Sequence, residues 1–233
     1  MPRAIAIETS GRVGSVALAE NGRVLIEEQF PHGLKHAAEI IPIIDRLTKS
    51  RNWGPKDVGE LYVSVGPGSF TGLRIAITLA KTMALATGVR IVAVPSVRAL
   101  VENAPADARH VIIVLDAKRE QIFTARFERT AEDWVEREPA HLDSLAAIIA
   151  RSPRPVYLLG EGIPQHRQHV PDDPQIILTG EESWRARASA VALVGTAMAL
   201  AGQFADPYRL TPIYIRPPEA EEKWAAQQQA TCG

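Results

Sequence analysis

The stretch from Leu61 to Lys81 joins an alternating apolar run, a loop with three glycines and a helical pattern without interruption. A strand that leads through such a loop into a helix presents unpaired backbone N–H groups and the positive end of the helix dipole. Ser69 and Thr71 are predicted to cap the helix. The loop is not a nucleotide P-loop, because Leu73 and Arg74 stand where the phosphate-reaching lysine belongs. A tight turn and a binding loop both remain open as interpretations.

The composition is that of an ordinary globular protein, with 46% hydrophobic and 23% charged residues in a chain of 233. The net charge of -1 provides no broad basic face, so we expect any RNA to be held by a partner. No signal peptide and no membrane contact are predicted. The single cysteine, Cys232, excludes an internal disulfide and favours a reducing cytoplasm.

The predicted elements repeat at half the length of the chain. Three strands over 3–8, 13–20 and 23–30, with a hairpin turn at Asn21-Gly22, precede a helix over 34–49. The same order begins again with strands over 110–116, 121–129 and 133–138. The elements predicted after them are a helix over 142–150, strands over 156–159 and 175–178, and a helix over 189–203.

Two acids occupy corresponding places in the repeat. Glu8 ends the first strand of one half, and Asp116, 116 minus 8 or 108 residues later, ends that of the other. We predict a duplicated domain with these acids on opposite walls of a cleft, although acids at strand ends also occur by chance. The predicted division is an N-terminal lobe over 1–106, a C-terminal lobe over 107–216 and a tail over 217–233.

Four motifs in this order resemble the TsaB, or YeaZ, family over almost the whole chain. They are the glycine loop, Glu8-Thr9-Ser10, Asp116-Ala117-Lys118-Arg119, and Pro212 to Arg216 with Ala220-Glu221. The glycine loop is the most specific of them, and its predicted site residues are Gly66, Pro67, Gly68, Ser69, Phe70, Thr71, Gly72 and Arg74.

The resemblance implies an α/β ASKHA fold, the duplicated two-lobed architecture of actin, Hsp70 and sugar kinases. It also implies a noncatalytic subunit that binds TsaD, the catalytic threonylcarbamoyltransferase, in making threonylcarbamoyladenosine (t6A) beside the tRNA anticodon. The further partners that it implies are a TsaE-type ATPase, tRNA through the complex, and a second copy of the chain as a homodimer. ATP or ADP is expected only at the interface of the complex, and no intrinsic cofactor is expected.

The residues around Glu8 and Asp116 do not favour phosphate chemistry carried out by this chain alone. Compared with the aspartate of catalytic ASKHA proteins, Glu8 is one methylene longer and the first glycine after it is displaced. Asp116 is followed by no glycine, and Gly160-Glu161-Gly162 is only a faint candidate for an adenosine-binding turn. Glu8 and Asp116 are therefore predicted to be vestigial nucleotide-site acids. The alternatives left open are a small ASKHA phosphotransferase and a metallopeptidase that acts alone.

A metal site is not predicted. His32 and His36 have the four-residue spacing of a helical metal pair, but Pro31 and Gly33 flank His32 and place it before the helix or at its start. No catalytic residue is assigned.

Two helices carry apolar arcs wider than a domain core requires. This width predicts that the helices over 34–48 and 71–87 cover their own sheet and also meet a partner, and in TsaB relatives such helices pack on TsaD or on a second copy. The periodicity alone also fits two thoroughly buried helices. The predicted partner-interface residues are Leu34, Ala37, Ile40, Ile41, Ile44, Leu47, Leu73, Ala76, Leu79, Ala80 and Met83.

Overall fold

The computed structural model describes residues 2–30 and 36–216, and these residues contain two mixed β-sheets. The first has the strand order β3-β2-β1-β4-β5, antiparallel from β3 to β1 and parallel from β1 to β5. Its strands are β1 (Arg3–Glu8), β2 (Gly14–Glu20), β3 (Arg23–Phe30), β4 (Val58–Ser64) and β5 (Arg90–Val94). Helix α1 (His36–Ser50) follows β3, α2 (Phe70–Thr87) follows β4, and α3 (Ser96–Val101) follows β5.

The second sheet has the order β11-β10-β6-β8-β7, and β9 pairs with β8. Its strands are β6 (His110–Ile113), β7 (Leu115–Asp116), β8 (Ile122–Arg129), β9 (Trp134–Asp143), β10 (Val156–Leu159) and β11 (Ile176–Leu178). Its helices are α4 (Leu145–Ala150) and the short α5 (Ile163–His166). An antiparallel meander followed by two parallel strands thus occurs in both sheets, which confirms the predicted duplication.

Helix α6 (Ala188–Leu200), the last helix within residues 36–216, packs on the first sheet although it lies in the predicted C-terminal lobe. Successive side chains along β1 and β2 point to opposite faces of the sheet, and this alternation explains the packing. Large residues such as Ile5 and Ile7 face α1 and α2, whereas alanines such as Ala4 and Ala6 face α6. The small side chains allow close approach, since a Cβ on Gly195 of α6 would lie 2.5 Å from the ring of Tyr62.

Several predicted elements differ from the observed ones. The strand predicted over 110–116 is interrupted at Val114, whose N–H instead donates to the carbonyl of Leu159. Helix α3 was not predicted, because its six residues are too few for a periodic pattern and burial of residues such as Leu100 stabilises it. The hairpin turn is confirmed, with positive φ at both Asn21 and Gly22. Residues 31–35 and 217–233, including His32, Leu34 and the predicted tail, lie outside the described residues.

Candidate functional site

The glycine loop packs directly against the turn that follows β1. A Cβ on Gly72 would lie 2.0 Å from the carbonyl oxygen of Thr9, and one on Gly68 would lie 2.4 Å from that of Ser10. The Ser69 N–H donates to the Ser10 carbonyl at 2.7 Å, and the Thr9 hydroxyl donates to the Gly72 carbonyl at 2.9 Å. These glycines therefore permit the two backbone segments to touch.

The start of α2 agrees with only one of the two predicted caps. The Ser69 hydroxyl accepts from the Gly72 N–H at 3.3 Å and makes Ser69 the N-cap. Thr71 was wrongly predicted as a cap, because it lies inside the helix and its side chain is exposed. Two N–H groups of the loop are therefore already hydrogen-bonded: that of Gly72 to the Ser69 cap, and that of Ser69 to the turn after β1.

Glu8 does not face the cleft. Its side chain is completely buried, and its Oε1 accepts hydrogen bonds from the backbone N–H and the hydroxyl of Ser10. Burial raises the pKa of Glu8 above its ordinary value, because the ionised form loses its hydration. The prediction that Glu8 and Asp116 face each other across a cleft is therefore wrong for Glu8: the longer side chain folds back onto the next turn.

Replacing Glu8 with glutamine is expected to change how stability depends on pH. The folded chain holds the Glu8 proton to higher pH than the unfolded chain does, so this contribution to stability is complete below the ordinary pKa of 4.5 and is lost as the pH rises through the raised folded pKa. Glutamine carries no charge at any pH. The Tm of Glu8→Gln relative to the parent protein should therefore rise from about pH 4 to pH 8, as measured in thermal melts.

The matched control for this prediction is Glu181→Gln, which changes an exposed carboxylate. Its Tm should follow that of the parent protein across the same range. A Tm difference for Glu8→Gln that stays constant with pH would contradict the burial-driven shift.

A cavity of about 780 Å³ lies between the two sheets. The glycine loop and the turn after β1 form one side of it, and Asp116 and its following residues form the other. The lining is mainly apolar and aromatic, with charged side chains from both lobes. The residues of the cavity that the sequence placed in no motif include Arg12, Leu100, Phe123 and Trp184.

Asp116 is the acid that does line the cavity. Its Oδ1 lies 3.0 Å from Nε2 of the buried His166 and accepts from the Lys118 N–H at 3.3 Å. The side chain is consequently fixed at the wall of the cleft. The sequence gives no local signal for this pair, because 50 residues separate Asp116 from His166.

Residues 211–216 form a strap that crosses the cavity. The Ile213 N–H donates to the Val65 carbonyl at 2.7 Å in the first lobe, and the Arg216 guanidinium donates to the Ala117 carbonyl in the second. Arg216 also donates to the side chain of Gln121. The strap thereby joins the family motif at Pro212 to Arg216 to both halves of the molecule.

An aromatic stack anchors the strap on the glycine loop. The rings of Phe70 and Tyr214 lie 4.8 Å apart, and the Arg74 guanidinium lies 3.8 Å from the Phe70 ring centre. Arg74 Nε also donates to the Tyr214 hydroxyl at 2.9 Å. Arg74, which stands where a P-loop would hold a lysine, therefore stabilises the strap.

Residues 118–120 form a left-handed turn beside Asp116. Lys118, Arg119 and Glu120 all have positive φ values between 52° and 61°. Such backbone costs roughly 1 kcal/mol or more per non-glycine residue, and surrounding contacts must hold it in place. The bonds of Arg216 to both ends of this turn supply such contacts.

The partner-interface prediction needs correction at five residues. Ile40, Leu47, Leu73, Ala76 and Ala80 are buried inside the chain, where they cannot contact a partner. Four of them, Ile40, Leu47, Ala76 and Ala80, pack in the core on the Ile5 side of the first sheet, and periodicity could not tell which of two adjacent stripes on each helix would do so.

The other predicted interface residues lie nearer the surface. Ile41 is 58% exposed, and Ile44, Leu79 and Met83 are partly buried against the core. Leu34 lies outside the described residues, and the side chain of Ala37 is likewise not described.

A family model and several curated relatives match this chain. The family model for TsaD, tRNA N6-adenosine threonylcarbamoyltransferase, matches residues 33–206. The TsaB protein of Bacillus subtilis strain 168, named for tRNA threonylcarbamoyladenosine biosynthesis, is 29% identical over 230 residues, covering 97% of this chain and 99% of that protein. The chain belongs to the TsaB family. TsaB of Escherichia coli K12 is also 29% identical, over 54% of this chain and 55% of that protein.

Solved TsaB-like structures share the fold. YeaZ from Pseudomonas aeruginosa superposes with a TM-score of 0.78 at 23% identity, covering 92% of this chain and all of that one. An uncharacterized protein with similarity to the peptidase YEAZ from Pseudomonas aeruginosa gives 0.80 at 22% identity, covering 93% and 100%. These likenesses confirm the predicted α/β fold, which the chain shares with the two solved structures.

Within residues 2–30 and 36–216, no three His, Cys, Asp or Glu side chains are grouped so that they could hold a metal ion. None of the helices in that part of the chain combines the length and the apolar character needed to cross a membrane.

Proposed function

We propose that this chain is a cytoplasmic, noncatalytic subunit that acts in t6A biosynthesis by docking on a TsaD-type threonylcarbamoyltransferase. The likeness to a TsaB protein along nearly the full length of both chains supports the pathway. The observation on which the noncatalytic role depends is the burial of Glu8. An acid enclosed beneath its own turn is not available to position a metal-bound phosphate.

The proposed docking face consists of Ile41, Ile44, Leu79 and Met83. These residues lie on α1 and α2, which contact each other on one side of the first sheet. Ile41 projects into solvent, and the other three add partly covered apolar surface around it. Two adjacent helices with an apolar outer surface suit a partner that presents a second helix pair.

The remaining partners follow from the same proposal. A TsaE-type ATPase joins the assembled pair, and ATP or ADP binds at the interface of the complex. tRNA is held through the partner, which the near-neutral net charge of -1 supports. In the absence of the partner, the docking face pairs two copies of this chain.

Reconstitution with purified proteins tests this function. The chain and a TsaD-type protein should co-elute in size-exclusion chromatography, and t6A formation should require both. The chain alone should hydrolyse no ATP above the level of the Glu8→Ala variant. ATP turnover by the isolated chain that Glu8→Ala abolishes would overturn the noncatalytic assignment.

A further inference from the structure

The strap over residues 211–216 connects the two lobes without forming a helix or a strand. It begins after Leu210, which is buried in the core of the first lobe. It ends at Arg216, which donates to the Ala117 carbonyl and to the side chain of Gln121 in the second lobe. Each lobe therefore holds one end of the strap, and the residues between these ends line the cavity.

The glycine loop receives the strap in the first lobe. A Cβ on Gly66 would lie 2.8 Å from the Ile213 carbonyl oxygen, which is closer than real contacts allow. Gly66 also has a φ of 110°, a backbone conformation that favours glycine. The Ile213 N–H donates to the Val65 carbonyl at 2.7 Å. The missing side chain at residue 66 thus lets the backbone of the strap lie directly on the loop.

The contacts that hold this end of the strap lie at the surface. Ile213 is 41% exposed and Tyr214 is 39% exposed. The stack on Phe70 and the hydrogen bond with Arg74 hold Tyr214 in place, rather than deep burial. Segments with few buried apolar contacts open locally at a lower free energy than the sheets they cover. The strap is therefore able to leave the loop while both sheets stay folded.

The other end of the strap holds the left-handed turn over residues 118–120. Within this turn, the Ala117 N–H donates to the Gln121 carbonyl at 2.9 Å, and the Gln121 N–H donates to the Lys118 carbonyl at 3.1 Å. Arg216 bonds to the residues on both sides of the turn. Three successive positive φ values are unfavourable for residues with side chains, so the turn favours relaxation once these bonds are released. The strap therefore opposes a change that the local backbone favours.

We propose that the strap is a latch that holds the two lobes closed on the cavity. The latch is closed while Tyr214 is seated on the glycine loop and Arg216 on the turn over residues 118–120. Its two ends act in series, because the strap joins the lobes only while both ends are seated. Release of either end opens the cavity without unfolding either sheet. This inference is independent of docking on a partner and holds whether or not the proposed function is correct.

Thiol labelling tests whether the strap closes the cavity. Leu100 lines the cavity but is only 2% exposed, so a Leu100→Cys side chain reacts with the thiol reagent DTNB only when the cavity opens. A Cys232→Ser background removes the natural cysteine. In this background, Tyr214→Ala should raise the labelling rate at least about tenfold, which corresponds to about 1.4 kcal/mol of opening free energy. The control Tyr208→Ala removes a tyrosine that is 78% exposed and should label at the parent rate.

The second end of the strap supplies a sharper test of the series arrangement. Arg216→Ala should raise the labelling rate to a similar extent as Tyr214→Ala. The double variant should label no more than about twofold faster than the faster single variant, because a strap released at one end no longer joins the lobes. Two independent contacts would instead multiply their effects on the rate.

Three results would overturn the proposal. One is an unchanged labelling rate in folded Tyr214→Ala, since other contacts, such as the Arg12 N–H donating to Glu161 at 3.1 Å, would then close the cavity. Another is a multiplied rate in the double variant, and a third is labelling that follows the global free energy of unfolding in urea. If Tyr214→Ala does not fold, Tyr214→Phe replaces it, because this variant keeps the ring stack and loses only the bond with Arg74. A labelling rate in folded Tyr214→Phe equal to that of the parent protein would then overturn the proposal.

Discussion

Replacing Ile41 with aspartate is expected to weaken binding of a TsaD-type partner by at least about 30-fold, the effect of losing one interface hot spot. The side chain is 58% exposed in the free chain, so a carboxylate at this position remains hydrated and the fold is retained. In the complex, the same carboxylate would be buried against apolar surface without a partner charge. Isothermal titration calorimetry measures the affinity, and thermal melts measure the stability of the same preparation.

Leu200→Asp is the matched control for Ile41→Asp. Leu200 is 76% exposed at the end of α6, on the opposite side of the first sheet from α1. Its replacement should leave both affinity and Tm close to those of the parent protein. Equal loss of binding in the two variants, or no loss in Ile41→Asp, would count against the docking face.

Ile44 and Met83 are less suitable positions for this experiment. Both side chains pack partly against the core, so a charge there would lower stability as well as affinity. The sequence shows only that these residues belong to an apolar pattern. Their partial burial is visible only in the structure, which therefore favours Ile41.

The Gly72→Ala substitution is expected to lower the free energy of unfolding by at least about 3 kcal/mol or to prevent folding. Its Cβ would lie 2.0 Å from the Thr9 carbonyl oxygen, a distance that neither backbone can accept without moving. Movement would break the Thr9 hydroxyl bond to the Gly72 carbonyl and disturb the cap at Ser69. Denaturant titration followed by circular dichroism measures the loss.

The control for Gly72→Ala is Gly59→Ala on β4. A Cβ there would contact Pro2 at 3.4 Å, an ordinary van der Waals distance, and residue 59 is exposed. Its stability should change by less than about 1 kcal/mol. If Gly72→Ala proved as stable as Gly59→Ala, the glycine loop would not be held by backbone contact with the turn after β1.

Local chemistry made much of the fold predictable. Alternating apolar residues gave β1 and β3 at their observed ends, and the left-handed preference of Asn21-Gly22 gave the hairpin between β2 and β3. The 108-residue offset between Glu8 and Asp116 gave the duplication. All of these signals lie within a few residues of each other or recur along the chain.

The candidate site was less predictable, because its contacts join distant residues. Nothing near Asp116 marks His166 as its partner, and nothing near Arg12 marks Glu161. Both pairs exist only because the two sheets bring their strand ends together around one cavity.

The sequence alone determines the order of elements, the repeated meander and the family, because periodicity, turn chemistry and motifs act over short stretches of chain. Packing settled which helix stripe was buried, where α6 lay and which acid reached the cleft. Each of these choices depends on the shapes of two surfaces that meet: alanines on the first sheet admit α6, and the longer side chain of Glu8 turns back beneath Ser10. A single segment contains only one of the two surfaces, so its sequence could not decide between them.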